Sequence, residues 1–549
     1  CSSDLSRTTT QPATSPVQEV PAPAQAVAKT QNRPLSFRIR NQPQTIPPIP
    51  VATFFSKGEF RLFKYFFRVG EWCRPTQANK ARYCHFGREG YVEWERAQYS
   101  IVSKIPGIET LCKKKEQAIV SNYISRLYPE EDWFYPETFV IPGEYCEYHQ
   151  AHQENKNRIY IAKISNSSQG VGIKILTRSN DLPQNHVTKG FDDAVVQRYI
   201  ANPLLIDGLK HDLRLYICIA NIEPLVAYLN DEGLARFCTH KYNNPNSGKQ
   251  DLSSQLTNYA LNKNSENFVL TEELTEINNG SKRTLASYWK SVEQTGLQPS
   301  SVKSRITLLC QHLMKIIQPY LRLHLRNKFP EGQGKNRFLH ILGIDVIIDE
   351  DGKPWLLELN STPSMAVEFV PDVGSKGYQK EKEISGLVND ACPSKIKISA
   401  VDFFAKSQVV GHAIRLCDRP VEQITTMKRY ETYTQIFSPE IEQEVFCGKF
   451  SAIDKAATLY LNLCEDQLTD NLPVTKYFKL TSLVKNIGKK PLKKIDIELE
   501  YKKITASGRP MDFGCFLESL IQIVTRFDDS QSCSVGQKMD RFFESLNYP

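Results

Sequence analysis

Hydrophobic and polar positions make their clearest pattern between Phe338 and Met365, FLHILGIDVIIDEDGKPWLLELNSTPSM. Ile341 to Ile348 is a short apolar run rich in β-branched residues, Trp355 to Leu359 is a second, and turn-formers from Asp349 to Pro354 separate them, so the spacing predicts a β-hairpin. A two-residue turn at Asp351-Gly352 sets Asp345 opposite Glu358, with Cβ atoms about 5 Å apart. Strand alternation adds Asn360 to that face and turns Leu357 and Leu359 to the other. Two carboxylates side by side repel unless a cation lies between them, and a hard divalent ion carrying phosphates suits the set. The competing reading is a pair of acids on the solvated face of a hairpin.

Upstream, Asn157 to Ser165 reads as a strand, Asn166 to Gly172 as a loop and Ile173 to Leu176 as the returning strand. Because the loop feeds a strand and not a helix, it is neither a Rossmann turn nor a Walker loop. It is expected to act as a flap, with Gly170 and Gly172 letting backbone N–H groups approach phosphate oxygens. Lys163 lies inside the first strand, either facing an anion or exposed on an edge. Ala194 to Ile200 predicts a further strand whose end offers backbone groups to a purine. In Leu209 to Asn221, Lys210, Asp212 and Arg214 alternate with leucines and so share a face, read either as a site or as a salt-bridged exposed strand. A helix is expected over Ile108 to Leu127, carrying Cys112-Lys113-Lys114-Lys115. Those lysines are a solvated face or, through Lys114, a phosphate contact.

Composition sets the limits around these motifs. A chain of 549 residues with 40% apolar content is long enough for several cores. The formal charge of +8 fits an acidic partner but is too small to argue for nucleic acid, and no apolar run reaches the length of a membrane span. Fourteen cysteines without a C-x-x-C pair read as reduced cytosolic thiols. Residues 1–50 hold nine of the 31 prolines and are expected to be a disordered tail. In residues 371–549, Tyr378 to Ala391 is expected to be a helix, Tyr477 to Val484 and Ile495 to Ile504 strands, and Phe513 to Phe527 a helix. Lys485, Lys489, Lys490, Lys493 and Lys494 form a basic cluster, either merely solvated or a contact for an acidic partner surface.

Taken in order, YIAKISNSSQGVGI, VVQRYIANPLLIDGLKHDLRLY, EGLARF, QLTNYALNK and LGIDVIIDEDGKPWLLELNSTPS resemble the tubulin tyrosine ligase-like family, closest to its polyglutamylase members. The resemblance runs from about Ser100 to Val370. It implies an α/β fold of ATP-grasp type, with antiparallel sheets sandwiching the nucleotide. Residues 51–145 would be the N-terminal domain, 146–370 the catalytic subdomains and 371–549 an extra mixed α/β extension, whose basic cluster would meet the acidic microtubule surface. The implied function is ATP- and Mg²⁺-dependent addition of free glutamate to carboxylates of tubulin tails, in the cytoplasm at the cytoskeleton and at the cilium. A glycylase and an inactive microtubule-binding relative are the alternatives.

Residue by residue, the resemblance assigns Lys114, Lys163 and Lys210 to the phosphates and Gln169, Gly170 and Gly172 to the flap. Gln197, Arg198, Tyr199 and Ile200 flank adenine, and Asp212 is an acid of the nucleotide site. Asp345, Glu358 and Asn360 are the Mg²⁺ ligands. Arg214 and Arg236 meet the incoming amino acid or the reacting centre, and Thr257, Asn258 and Lys263 line the amino-acid pocket. Three positions depart from the family pattern: Ile164 for proline, Gln255 for a histidine that precedes the Leu-Thr-Asn segment, and Ser361 for the histidine of chain-elongating members.

Overall fold

The structure, a computed structural model, describes most of residues 52–546. The larger stretches outside it are 1–51, 63–72, 76–82, 95–99, 166–171, 183–192, 274–279, 330–336, 370–396 and 465–471. The expected tail, the 378–391 helix, Gln169 and Gly170 therefore lie outside the described residues, as do Lys485 and Lys489 of the basic cluster.

Lysine-rich helix α1 (Lys114–Leu127) precedes a four-stranded antiparallel sheet made of β1 (Thr138–Ile141), β2 (Tyr160–Ile164), β3 (Ile173–Leu176) and β4 (Ala194–Arg198), in the order β1-β4-β2-β3. One face buries Tyr160, Ala162 and Val196 with Tyr148 from the helix Tyr145–Glu154. The opposite face carries Ile161, Ile175, Lys163 and Gln197 by alternation. The expected 108–127 helix is broken: Ile108–Leu111 and α1 are separate, because Lys113 is extended and opens the second.

The larger sheet is organised on β5 (Leu209–Ile222), long enough to pair with different partners along its length. On one edge its second half meets β6 (Leu225–Asn230) and its first half β7 (Leu234–Phe237), which pairs in turn with β8 (Lys282–Thr284). On the other edge lies β9 (Arg337–Ile348), followed by β10 (Pro354–Asn360). Leu213, Leu215, Ile217 and Ile219 pack into the core that also takes Leu309, Leu313 and Ile317 from the 30-residue helix α2 (Pro299–Lys328). Tyr216, Cys218 and Ala220 turn to the other side, against Val409, Val410 and Ala413 of helix α3 (Ala400–Cys417). Lys210, Asp212 and Arg214 continue this second face, so it is covered protein interior and not the solvated edge that alternation alone allowed.

The hairpin forms, but through a different turn. Asp349 N–H donates to Lys353 O at 3.0 Å and Gly352, at φ +75°, closes the loop inside it. Ile348 consequently pairs with Pro354, one residue off the expected register, and a bulge at Leu357 restores it, so Asp345 does oppose Glu358. Such a bulge adds one residue to one strand and re-aims the side chains beyond it. As a result Leu356, not Leu357, joins Leu359 in the core.

Beyond α3, helices dominate. The stretches expected as strands are helical, Val474–Tyr477, Leu480–Leu483 and Lys494–Thr505. In the last of these Ile495 and Leu499 are exposed while Ile497 is buried. The apparent period of two came from isoleucines interleaved with Glu and Lys, good helix formers whose context decided the outcome. Phe513–Phe527 is helical as expected. Among the described residues no helix is long and apolar enough to cross a membrane.

Candidate active site

Antiparallel register sets two rows of charge across the second face of the larger sheet. Lys282 pairs with Arg236 and Arg236 with Asp212; two residues along β5, Arg214 pairs with Asp345 and Asp345 with Glu358. Asn360 stands opposite Gly343. A side chain at Gly343 would run into Pro363 at 2.8 Å and press on Arg214 at 3.4 Å, so this glycine makes room for both the guanidinium and the chain after Asn360.

The rows interlock. Arg214 binds Asp345 through Nε and through Nη2, the latter 2.9 Å from Oδ2. Arg236 reaches Asp212 through Nε at 2.7 Å and Nη2 at 2.8 Å, and its Nη2 lies 2.9 Å from Asp345 Oδ2 as well. Thr257 Oγ1 donates to Asp212 Oδ2 at 2.5 Å. Burial works against the Asp345 carboxylate, yet Arg214 and then Arg236 outweigh it and hold the pKa well below the usual range. Asp212 goes the other way: burial dominates and raises it despite Arg236.

Two buried lysines flank these rows, Lys210 on the same face of β5 and Lys163 on the smaller sheet. Lys163 Nζ donates to Gln197 Oε1 at 2.7 Å; Lys210 Nζ donates to Tyr199 Oη at 2.6 Å and to Gln255 O at 2.9 Å, and lies 3.9 Å from the Tyr199 ring centre. Burial lowers both to about 8, and Lys163 also feels Glu358, Lys114 and Asp345. Neither forms an ion pair among the described residues. A buried cation held only by neutral acceptors is costly without an anion, and this pair is the strongest sign of a phosphate site in the molecule.

The remaining expected residues divide. Lys114 opens α1 within the field of Lys163. Gln197 is fixed by donating to Thr138 Oγ1 at 3.0 Å. The N–H groups of Arg198 and Tyr199 are taken by Glu137 O and Ile159 O, so these two cannot donate to a purine; Ile200 is buried beside them. Gly172 has φ +71°, and any Cβ there would strike Ile164, the residue in place of the family's proline. Thr257 reaches the acids, whereas Asn258 accepts Ala260 N–H to cap the short helix Tyr259–Asn262, with Lys263 at its end. Gln255 holds Lys210 and Tyr199 through its backbone carbonyl, which a histidine there would supply equally.

Asp345, Glu358 and Asn360 are brought together, but unequally. Asp345 is bound by two guanidiniums, while the half-buried Glu358 carboxylate forms no bond among the described residues and the buried Asn360 Nδ2 has no acceptor. No group of three His, Cys, Asp or Glu among the described residues suits a metal. Mg²⁺ that arrives on phosphates needs only one or two carboxylates, so Glu358 and Asn360, beside Asp345, fit it.

Two contributors were not singled out as site residues from the sequence. Lys104, 2% exposed, donates to Ser361 O at 3.2 Å and to Thr362 Oγ1, tying the segment before α1 to the chain after Asn360. Lys282 binds Asp402 of α3 at 2.7 Å. Here one clue existed, since Asp402 and Lys406 stand four apart in an otherwise apolar helix turn.

Two sheets, the smaller carrying Lys163 and the larger carrying Lys210 beside the interlocked acids and guanidiniums, have ATP-grasp-like architecture. Residues 93–379 match the tubulin-tyrosine ligase family, and the chain belongs to that family. It is 33% identical over 341 residues to a probable beta-tubulin polyglutamylase of Tetrahymena thermophila, covering 60% of this chain and 27% of that protein. It is also 33% identical over 273 residues to tubulin polyglutamylase ttll6 of Danio rerio (49% and 34%) and 29% identical over 390 residues to tubulin polyglutamylase ttll-11 of Caenorhabditis elegans (68% and 54%). The chain spans between about a quarter and about half the length of these relatives.

Proposed function

We propose that the chain is an ATP-dependent ligase that joins free glutamate to carboxylates of tubulin tails at the cytoskeleton. The observation that carries this reading is the pair Lys163 and Lys210, buried with neutral hydrogen-bond partners, Lys163 in the field of Glu358 and Lys210 in that of Asp212. Lys163, Lys210 and Lys114 hold the phosphates of ATP. Glu358 and Asn360, with Asp345 beside them, would hold Mg²⁺, which would neutralise phosphate charge.

A carboxylate is a poor electrophile, so the acceptor glutamate first takes the γ-phosphoryl group, releasing ADP. The α-amino nitrogen of the incoming glutamate then attacks the acylphosphate carbon, loses a proton, and expels inorganic phosphate as the isopeptide bond forms. Arg214 and Arg236, oriented by Asp345 and Asp212, each keep an Nη1 that no described residue engages. Those donors suit the incoming carboxylate and the oxyanion that develops. The names of the relatives support glutamate as the amino acid.

Glu358→Gln removes one charge from a half-exposed position. It should cut ATP-dependent incorporation of labelled glutamate into tubulin by at least about 100-fold while thermal unfolding stays unchanged. Incorporation at the wild-type rate would remove Glu358 from the site.

A further inference from the structure

Helix α3 lies beyond the family-matched residues, yet it sends two charges to the site. Asp402, 2% exposed, has Lys282 Nζ 2.7 Å from Oδ2 and Lys406 Nζ 2.7 Å from Oδ1. Lys406 also donates to Ala366 O at 2.6 Å, on the chain beyond Asn360. Lys282 is the cross-strand neighbour of Arg236 and stands 3.5 Å over the Tyr259 ring, next to Thr257 and Asn258.

Charge counting separates this cluster from its neighbour. Arg214 and Arg236 balance Asp212 and Asp345, whereas Lys282 and Lys406 share Asp402 alone, leaving one buried positive charge without a counter-ion among the described residues. Burial lowers Lys282 to about 8 even with Asp402 beside it. The fully buried Tyr216 hydroxyl, in the field of Lys406, Arg214, Asp402 and Arg236, has no hydrogen-bond partner among the described residues either. Among the described residues, a cation without its own counter-ion and a hydroxyl without a partner coincide at this cluster.

We infer that Lys282, beside Arg236, receives the side-chain carboxylate of the amino-acid substrate and so selects a dicarboxylic amino acid over glycine, with Asp402 as the residue that positions it. The inference rests on the ligase reading and names the group that sets its substrate.

Equilibrium binding of free amino acids to the full chain, with Mg²⁺ and a non-hydrolysable ATP analogue present, tests it. Glutamate should bind about 10- to 100-fold more tightly than its neutral amide glutamine, the range for a lost charge-assisted hydrogen bond. Lys282→Met should remove that preference and Lys282→Arg keep most of it. Equal binding of glutamate and glutamine by the wild-type chain, or an intact preference in Lys282→Met, overturns the inference. Because the glutamine comparison needs no variant, misfolding of Lys282→Met does not blunt the test. A chain that binds the nucleotide without preferring glutamate loses only this inference; one that binds no nucleotide loses the ligase reading too.

Discussion

Replacing Arg236 with methionine should destabilise the protein by about 3–5 kcal/mol, the cost of removing one partner from a buried ion pair. Among the described residues Asp212 would lose its only guanidinium and Asp345 one of two, in surroundings where these side chains are 4% and 9% exposed. Urea unfolding measures it. In the wild type, Asp345 has its pKa lowered in the folded state, so its contribution is complete above the unfolded value of about 4 and is lost as pH falls below it. In Arg236→Met the stranded Asp212 carboxylate takes up a proton more readily folded than unfolded, while Asp345 keeps Arg214. The stability of that variant should therefore rise as pH is lowered from 8 toward 5. A loss below about 1 kcal/mol would mean the pair is solvated and the interlocked rows do not hold the site.

Removing both phosphate lysines should separate binding from folding. Lys163→Met with Lys210→Met should lower affinity for an ATP analogue by about 10- to 100-fold per lysine. The ligand-free protein should become more stable, because two buried ammonium groups with only neutral partners are gone. The pH dependence carries the same signature. These lysines titrate at about 8 when folded and at about 10.4 when unfolded, so the unfolded chain holds more protons in between and wild-type stability climbs across that window. The double variant should show a smaller climb. Unchanged nucleotide affinity would place the phosphates elsewhere.

Much of the site was legible because strand periodicity is strict. Once β5, β9 and β10 are recognised as strands, Asp212 with Arg214 and Asp345 with Glu358 must share faces, and the structure places them so. The route to the hairpin was less visible: a longer loop and a bulge at Leu357 offset each other, and single-sequence turn rules carry no signal for compensating irregularities. That the polar face of β5 is interior and not solvated depends on Tyr199, Gln255 and Thr257 over Lys210 and Asp212, and on α3, almost 200 residues later, over the rest of that face. Lys282 and Asp402 meet only through that packing. Lys104 looked like an ordinary lysine before a proline and glycine, and its contacts to Ser361 and Thr362 span more than 250 residues of sequence. The C-terminal strands were misread because Ile and Tyr alternating with Glu and Lys satisfy either period, and packing decides.

The most direct measurement is a mass spectrum of tubulin after incubation with the chain, Mg²⁺-ATP and either glutamate or glycine. The expected result is ATP-dependent mass increments of whole glutamate residues on the tubulin tails, and none with glycine. Tubulin of unchanged mass under all conditions, or increments that appear with glycine and not glutamate, would contradict it.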